Sequence, residues 1–379
     1  MISQNTTTVK GNLNPSMISL NGVMETGLAI LETEGTCKLG CAHCNIDIEK
    51  TEEATAISPD FLGFVEEYAQ SAPEGSNLIL KNAAGGLGER EMKIVERAVE
   101  SGLFTTITTE GITVPKYFQD GVADLNSRFP GRIGYTVSLD GSNDRVHKQL
   151  RVNIPFDKVV DFIRRQIDRE IYVETNFVAH AGNLSDFANY VGFVTDLGVS
   201  KINVLPLQEI GAAARNSLKS PDLVELTKAL IDAYESGAPE VRDVLDHTLG
   251  GYFYRMKNGA ETSACEGCPA GSSHMVMVDS RGDIYPCNSL RDPQFKQGNI
   301  GSSELPEIYQ SEKFRMLQDQ LAQGDVDSPL KFGCPRVIEK SPGNYRAALD
   351  YLNSRLDESG IELSALQELG KRVCFARTF

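Results

Sequence analysis

"GLAILETEGTCKLGCAHC" (27–44) opens as a strand and closes as a loop that carries three cysteines. Residues 27–34, "GLAILETE", read as the strand. Cys37, Cys41 and Cys44 follow at once, in a chain with eight cysteines among 379 residues. Three thiols are an odd number for disulfides and one short of a tetrahedral metal site. Zinc would want a fourth close ligand. His43 lies inside the Cys41–Cys44 spacing, where reaching the same ion is strained.

Working outward from this strand, two kinds of apolar period alternate. Helices are expected over 59–70, 91–102, 115–129, 156–169, 186–198 and 221–236, and further strands over 77–81, 104–109, 132–140, 171–179 and 201–207. Gly102 is expected to cap the second helix. Strict strand–helix alternation implies an α/β fold with a parallel sheet. Six units are too few for a closed eight-stranded barrel. An open sheet and a partial barrel both satisfy the pattern, and in either case ligands belong beyond the C-terminal ends of the strands, where the cysteine loop falls. Residues 1–25 read as a polar lead-in. The alternation runs over 26–240, and a smaller, glycine- and cysteine-rich unit follows over 241–340. A helical tail is expected over 341–379.

The formal net charge is −15. Nucleic-acid binders carry a basic face, so no nucleic-acid partner is expected. The same charge disfavours docking on anionic membranes. No apolar run approaches the length of a membrane span, and the first residues lack the charged and apolar regions of a secretory signal. A cytoplasmic location is expected, where clustered cysteines serve as metal ligands more often than as disulfides.

Cys37-x3-Cys41-x2-Cys44 after the first strand of a six-unit β/α chain resembles the signature of the radical S-adenosylmethionine (radical SAM) enzymes. The resemblance implies a partial (β/α)6 barrel and a [4Fe–4S] cluster held by Cys37, Cys41 and Cys44. Its fourth iron is left to SAM. It also implies reductive cleavage of SAM to a 5′-deoxyadenosyl radical, which takes a hydrogen atom from substrate. The family's other stations occur in order. "NAAGGLGERE" (82–91) offers Gly86, Gly88 and Glu89 for the methionine end of SAM, with Arg90 where proline is usual. "TEG" (109–111) stands for Thr-Asn-Gly. "VSLDGSNDRVHKQLRVN" (137–153) implies Ser138 and Asp140 near the SAM ribose and Arg151 on its carboxylate, a bidentate task suited to guanidinium. Asn176, on strand five, completes the SAM set.

The unit after residue 240 is similar to the SPASM/twitch extension of these enzymes. That likeness implies one auxiliary iron–sulfur cluster, [4Fe–4S] by analogy, on Cys265, Cys268, Cys287 and Cys334. Val337 stands where a further cysteine is usual, which leaves the fourth ligand open between Cys265 and Cys374. A four-cysteine zinc knuckle would also satisfy these positions. Cys374 otherwise reads as an inert thiol or as a hydrogen-atom donor to a substrate radical. Tyr285, His147, His180 and His274 are cleft residues without an assigned role.

Relatives of this type crosslink, oxidise or epimerise ribosomally made peptides, and a peptide substrate is expected here. The alternative is a dehydrogenase or epimerase of a sugar, aminocyclitol or other small molecule. The 36 residues before Cys37 are too few for a leader-binding domain, which favours that alternative. A non-catalytic zinc or iron–sulfur binding protein is the reading of a different class. A flavodoxin or ferredoxin is the implied electron donor.

Overall fold

The computed structural model describes residues 27–33, 37, 39–44, 60–81, 86–209, 211–246, 248–249, 270, 275–288, 290–322 and 342–359. Strands β1 (Leu28–Glu32), β2 (Asn77–Lys81), β3 (Phe104–Thr109), β4 (Ile133–Ser138), β5 (Tyr172–Ala179) and β6 (Lys201–Pro206) are all parallel neighbours in chain order. Between them run α1 (Phe61–Ser71), α2 (Glu89–Glu100), α3 (Lys116–Arg128), the one-turn α4 (Asp144–His147), α5 (Phe156–Ile167) and α6 (Phe187–Asp196). After β6 come α7 (Gly211–Arg215) and α8 (Leu223–Ser236).

Open doubly wound sheets reverse strand order at a switch point, which puts helices on both faces. β1 to β6 show no reversal, so every right-handed crossover lays its helix on the same side. The outward residues Ala29, Leu31, Leu78, Leu80, Ile107, Tyr135, Val137, Val173, Phe177, Ile202 and Val204 join the helices in one apolar core. Phe177 meets Tyr190 of α6 at 4.5 Å between ring centroids, and the Tyr190 hydroxyl donates to Thr175 at 2.8 Å. The opposite, concave face carries polar rows toward the C-terminal ends of β1 to β6. In register across it lie Glu32, Lys81, Thr108, Thr136, Glu174 and Lys201. One row further on, Ser138, Asn176 and Asn203 stand side by side. A sheet with helices on one face and a polar lining on the other is a partial barrel.

The helix ends follow from local chemistry. Asp60 caps α1 by accepting from the Gly63 N–H at 2.9 Å, and Asp222 caps α8 by accepting from Val224 at 2.8 Å. Each such cap contributes about 1 kcal/mol. Gly102 closes α2 at φ +87°, a left-handed conformation that costs glycine least.

The sheet does not stop at the boundary expected near residue 240. β7 (Met275–Val278) pairs in parallel with β1 on its free edge, and β8 (Asp283–Tyr285) and β9 (Gly298–Asn299) add antiparallel strands beyond it. The nine strands run β6-β5-β4-β3-β2-β1-β7-β8-β9. On the concave side Leu28, Ile30, Met275, Met277, Tyr285 and Cys287 pack under Phe295, Phe314 and Leu317. Two helices follow, α9 (Leu305–Gln310) and α10 (Glu312–Ala322), rather than one continuous helix. Ser311 breaks it with an extended ψ of 150°, and its hydroxyl then accepts from the Phe314 N–H at 3.1 Å.

Near the C-terminus, α11 (Pro342–Ser359) buries Ala348 and Leu352 in the main core. Arg355 pairs with Glu235 of α8, and Lys228 of α8 sits 5.3 Å over the Tyr351 ring. The described part of the expected tail thus docks on the barrel's outer layer. No helix among the described residues is long and apolar enough to cross a membrane.

Candidate functional site

The cysteine loop lies at the C-terminal end of β1, pinned to neighbouring loops by its backbone. The Ala42 N–H donates to Leu150 O at 2.8 Å, and Ala42 O accepts from Asn216 Nδ2 at 2.7 Å. Leu39 O accepts from Asn153 Nδ2 at 2.9 Å, and Cys44 O accepts from the Ala212 N–H at 2.9 Å. Gly40 turns the loop at φ +65°, which a side chain would strain. The loop is therefore held by residues after β4 and by α7, and its three thiols stay partly exposed.

Arg151 joins this loop to strand four. Its Nε donates to Asp140 Oδ2 at 2.6 Å, Nη1 lies 3.7 Å from Cys41 Sγ, and Nη2 lies 3.4 Å from His43 Nε2. Burial pushes the Cys37 and Cys41 thiols up, the neighbouring Cys44 adds to this, and Arg151 opposes it. Burial, aided by Arg151, holds His43 down to about 4, so its ring is neutral.

Asp140 was expected beside a ribose. It is instead fully buried with both oxygens engaged, Oδ2 by Arg151 and Oδ1 by the Val178 N–H at 2.7 Å. Its own N–H donates to His147 Nδ1 at 3.2 Å, and its carbonyl accepts from Asn183 Nδ2 at 3.2 Å. Asp140 is thus a positioning residue for Arg151. Ser138 and Asn176 do fall together in the row beyond, and Asn176 Oδ1 accepts from Asn203 Nδ2 at 3.1 Å. Asn203 Oδ1 is buried without a partner among the described residues.

Glu89 is exposed at the first position of α2, and its carboxylate makes no hydrogen bond or ion pair among the described residues. The buried carboxylate is Glu91, which accepts from the Gly88 N–H at 2.9 Å. Arg90, in the usual proline's place, donates to Glu91 at 2.7 Å and to Thr33 O at 3.0 Å. Arg90 therefore draws its partner acid into the helix cap. Gly86 and Gly88 lie at the mouth of the barrel beyond β2.

Cys287 is buried on the concave face beside Tyr285. Cys265, Cys268, Cys334, Cys374 and His274 lie outside the described residues.

His147 carries a pH prediction. Burial holds it down to about 4, with Asp140 pulling the other way and Arg151 adding to the depression. The ring is neutral in the fold, with Nδ1 as acceptor, while the unfolded chain protonates it below about 6.5. The folded pKa is the lower one, so this stabilisation is complete above pH 6.5 and is lost as pH falls toward 4. It is worth up to about 3 kcal/mol. In thermal melts from pH 7 to 4.5, His147→Asn should lose less stability than the parent. Parallel pH curves would contradict this.

The arrangement of the thiol loop discriminates between the groups it could hold. Among the described residues, no three His, Cys, Asp or Glu side chains converge on a point one ion could fill. A mononuclear zinc site needs that convergence. A cube takes each thiolate on a separate iron. Three thiols within electrostatic reach of one another, beside a guanidinium that favours thiolate, fit the cube.

Residues 256–334 match the SPASM family, described as an iron–sulfur cluster-binding domain. This span contains Cys265, Cys268, Cys287 and Cys334. The fold resembles SuiB of Streptococcus suis bound to S-adenosylmethionine, with TM-score 0.60 and 15% identity over 79% of this chain and 69% of that one. SuiB bound to precursor peptide SuiA gives TM-score 0.61 at 15% identity, over 84% and 74% of the two chains. anSMEcpe with bound AdoMet gives TM-score 0.60 at 15% identity, covering 88% of this chain and 100% of that one. At such identity the likeness shows a shared fold. To that shared fold the domain match adds an iron–sulfur cluster-binding region over residues 256–334.

Proposed function

We propose that this chain is a radical SAM enzyme that modifies a peptide. The observation that carries the reading is the joining of Arg151, Asp140 and the Cys37–Cys44 loop at the mouth of a partial barrel. When bound, an iron–sulfur cluster with SAM supplies reductive cleavage of SAM and hydrogen-atom abstraction from substrate.

The chain's own residues do the positioning. Cys37, Cys41 and Cys44 would hold the cluster, and the backbone bonds to Leu150, Asn153, Ala212 and Asn216 keep their loop in place. Arg151 offers its remaining N–H groups toward a carboxylate while Asp140 fixes its plane. Ser138, Asn176 and Asn203 present hydroxyl and amide groups in one row, and the unpartnered Asn203 Oδ1 is suited to a donor on a bound ligand. Cys265, Cys268, Cys287 and Cys334 would hold an auxiliary cluster, with Cys287 on the concave face. A flavodoxin- or ferredoxin-type protein would deliver the electron.

The peptide assignment is supported by the partners of the two similar structures: SuiB was solved with a precursor peptide, and anSMEcpe with the Cp18Cys peptide. Anaerobic reconstitution tests the chemistry. About eight irons per chain and formation of 5′-deoxyadenosine are expected. Two zincs per chain without SAM turnover would overturn it. Deuterium appearing in 5′-deoxyadenosine from labelled peptides, and not from labelled sugars, would support the peptide assignment; the reverse would remove it.

A further inference from the structure

The polar row on the concave face starts with a charged trio that SAM cleavage does not use. Glu32 Oε1 accepts from Arg291 Nη2 at 3.0 Å, and Oε2 accepts from Nη1 at 3.1 Å. Lys81 Nζ stands 3.3 Å from the same Oε2 and 3.5 Å from Asn288 Oδ1. Burial opposes the Glu32 charge, but Lys81 and Arg291 hold its carboxyl below the ordinary range. Glu32 is thus a carboxylate near neutrality. Two cations then face one carboxylate, a formal surplus of one positive charge.

This surplus is local. The whole chain carries −15. At the other end of the row Lys201 and Glu174 form a balanced pair at 3.8 Å. A structural ion pair needs one cation per carboxylate, and a second cation in a half-buried position gives up hydration without a counter-charge.

The cations also keep open donors. Glu32 has 4% of its side chain exposed, against 23% for Lys81 and 31% for Arg291. An ammonium has three N–H groups and a guanidinium five. Glu32 and Asn288 use two on Lys81 and two on Arg291, so one and three meet no acceptor among the described residues. Glu32 already shows that the Arg291 fork takes a carboxylate bidentately.

The placement suits a substrate. Glu32 ends the strand that leads to Cys37, and Arg291 lies on the loop that leaves Cys287. Lys81 ends β2 on the same concave face. The trio therefore stands between the strand end that leads to Cys37 and the region of Cys287. We propose that Lys81 and Arg291 form a binding site for a carboxylate of the substrate, which anchors it between those regions. The proposal rests on the reading that substrate enters this barrel. A peptide offers such a group from its C-terminus or from an Asp or Glu side chain.

The test is calorimetric titration of the anaerobically reconstituted, SAM-loaded chain with three probes. N-acetylalanine carries a main-chain carboxylate, N-acetylglutamic acid α-amide a side-chain carboxylate, and N-acetylglutamine α-amide none. One carboxylate probe should bind at least tenfold tighter than the neutral one, and which one names the source. Lys81→Gln, which leaves Glu32 paired with Arg291, should erase that preference without lowering the melting temperature. Arg291→Lys should reduce it while retaining a cation for Glu32. Equal binding of all three probes, or a preference unchanged in both variants, would overturn the site. 5′-Deoxyadenosine measured on the same samples keeps the two readings apart. Lysine-dependent carboxylate binding without SAM cleavage removes the radical chemistry and leaves the site, and SAM cleavage without carboxylate preference does the reverse.

Discussion

Cys41→Ala is expected to abolish 5′-deoxyadenosine formation, by at least about 1,000-fold, and to remove about half of the roughly eight irons per chain. Cys41 sits between Cys37 and Cys44 and is the thiol that Arg151 approaches, at 3.7 Å. Three thiolates each hold one iron and leave the fourth for SAM. With two, the cube loses a second fixed corner and its orientation toward the mouth of the barrel. The fold should survive, because the loop is tied by backbone bonds at Leu39, Ala42 and Cys44, and the partly exposed Cys41 side chain fills little of the core. The measurements are iron per chain, product formation and a thermal melt on one preparation. Retained iron with retained turnover would remove the cluster from this loop. Loss of iron together with a collapsed melting transition would show that Cys41 serves the fold instead.

Much of this arrangement was legible in the sequence. All six core strands and the helices between them fall within a few residues of their expected places, because each strand is short and each helix carries its own apolar face. The Cys37–Cys44 spacing pointed to a metal loop, and the "VSLDG" to "LRVN" stretch pointed to its neighbour. Periodicity left the choice between open sheet and partial barrel undecided, yet the strands held a signal. "KINVLP" alternates polar and apolar residues at its start, and "FTTITT" and "YVETNF" carry polar residues at every second position, Thr106 and Thr108 or Glu174 and Asn176, whereas strands buried on both faces run nearly apolar throughout. That alternation gives the polar row of Thr108, Thr136, Glu174 and Lys201.

What stayed hidden depends on contacts far apart in the chain. Nothing local to "HMVMV" says that β7 pairs with β1. Nothing near Glu32 announces Arg291, 259 positions away. The partners of Arg90 were hidden as well: it donates to the buried carboxylate of Glu91 and to Thr33 O, 57 positions away.

Asp140→Asn should cost about 3–5 kcal/mol of stability at pH 7. The ion pair with Arg151 is closed off from water, with the two side chains 0% and 11% exposed. Asparagine keeps the shape, and its oxygen can still accept from the Val178 N–H. Its amide then presents N–H groups to the Arg151 N–H groups, so a buried guanidinium loses its counter-charge. If the chain melts as one unit, the melting temperature should fall by about 4–6 °C.

The pH dependence separates this from a packing defect. Burial raises the Asp140 carboxyl, but Arg151 and the neighbouring groups outweigh it and hold it below the ordinary range. A folded pKa below the unfolded value of about 3.9 means the stabilisation is complete above that value. It is lost as pH falls through the folded pKa. The gap between parent and Asp140→Asn should therefore stay constant from pH 6 to 8 and close below about pH 4. A gap that persists unchanged in acid would assign the cost to shape. A gap under about 1 kcal/mol at pH 7 would mean that Arg151 finds another partner. The cysteine loop supplies the second readout. Arg151 is its link to strand four, so hydrogen exchange at the Ala42 amide, bonded to Leu150 O at 2.8 Å, should quicken in the variant. Unchanged protection there would mean that the backbone bonds alone hold the thiols, and that Asp140 and Arg151 matter to the ligand rather than to the loop.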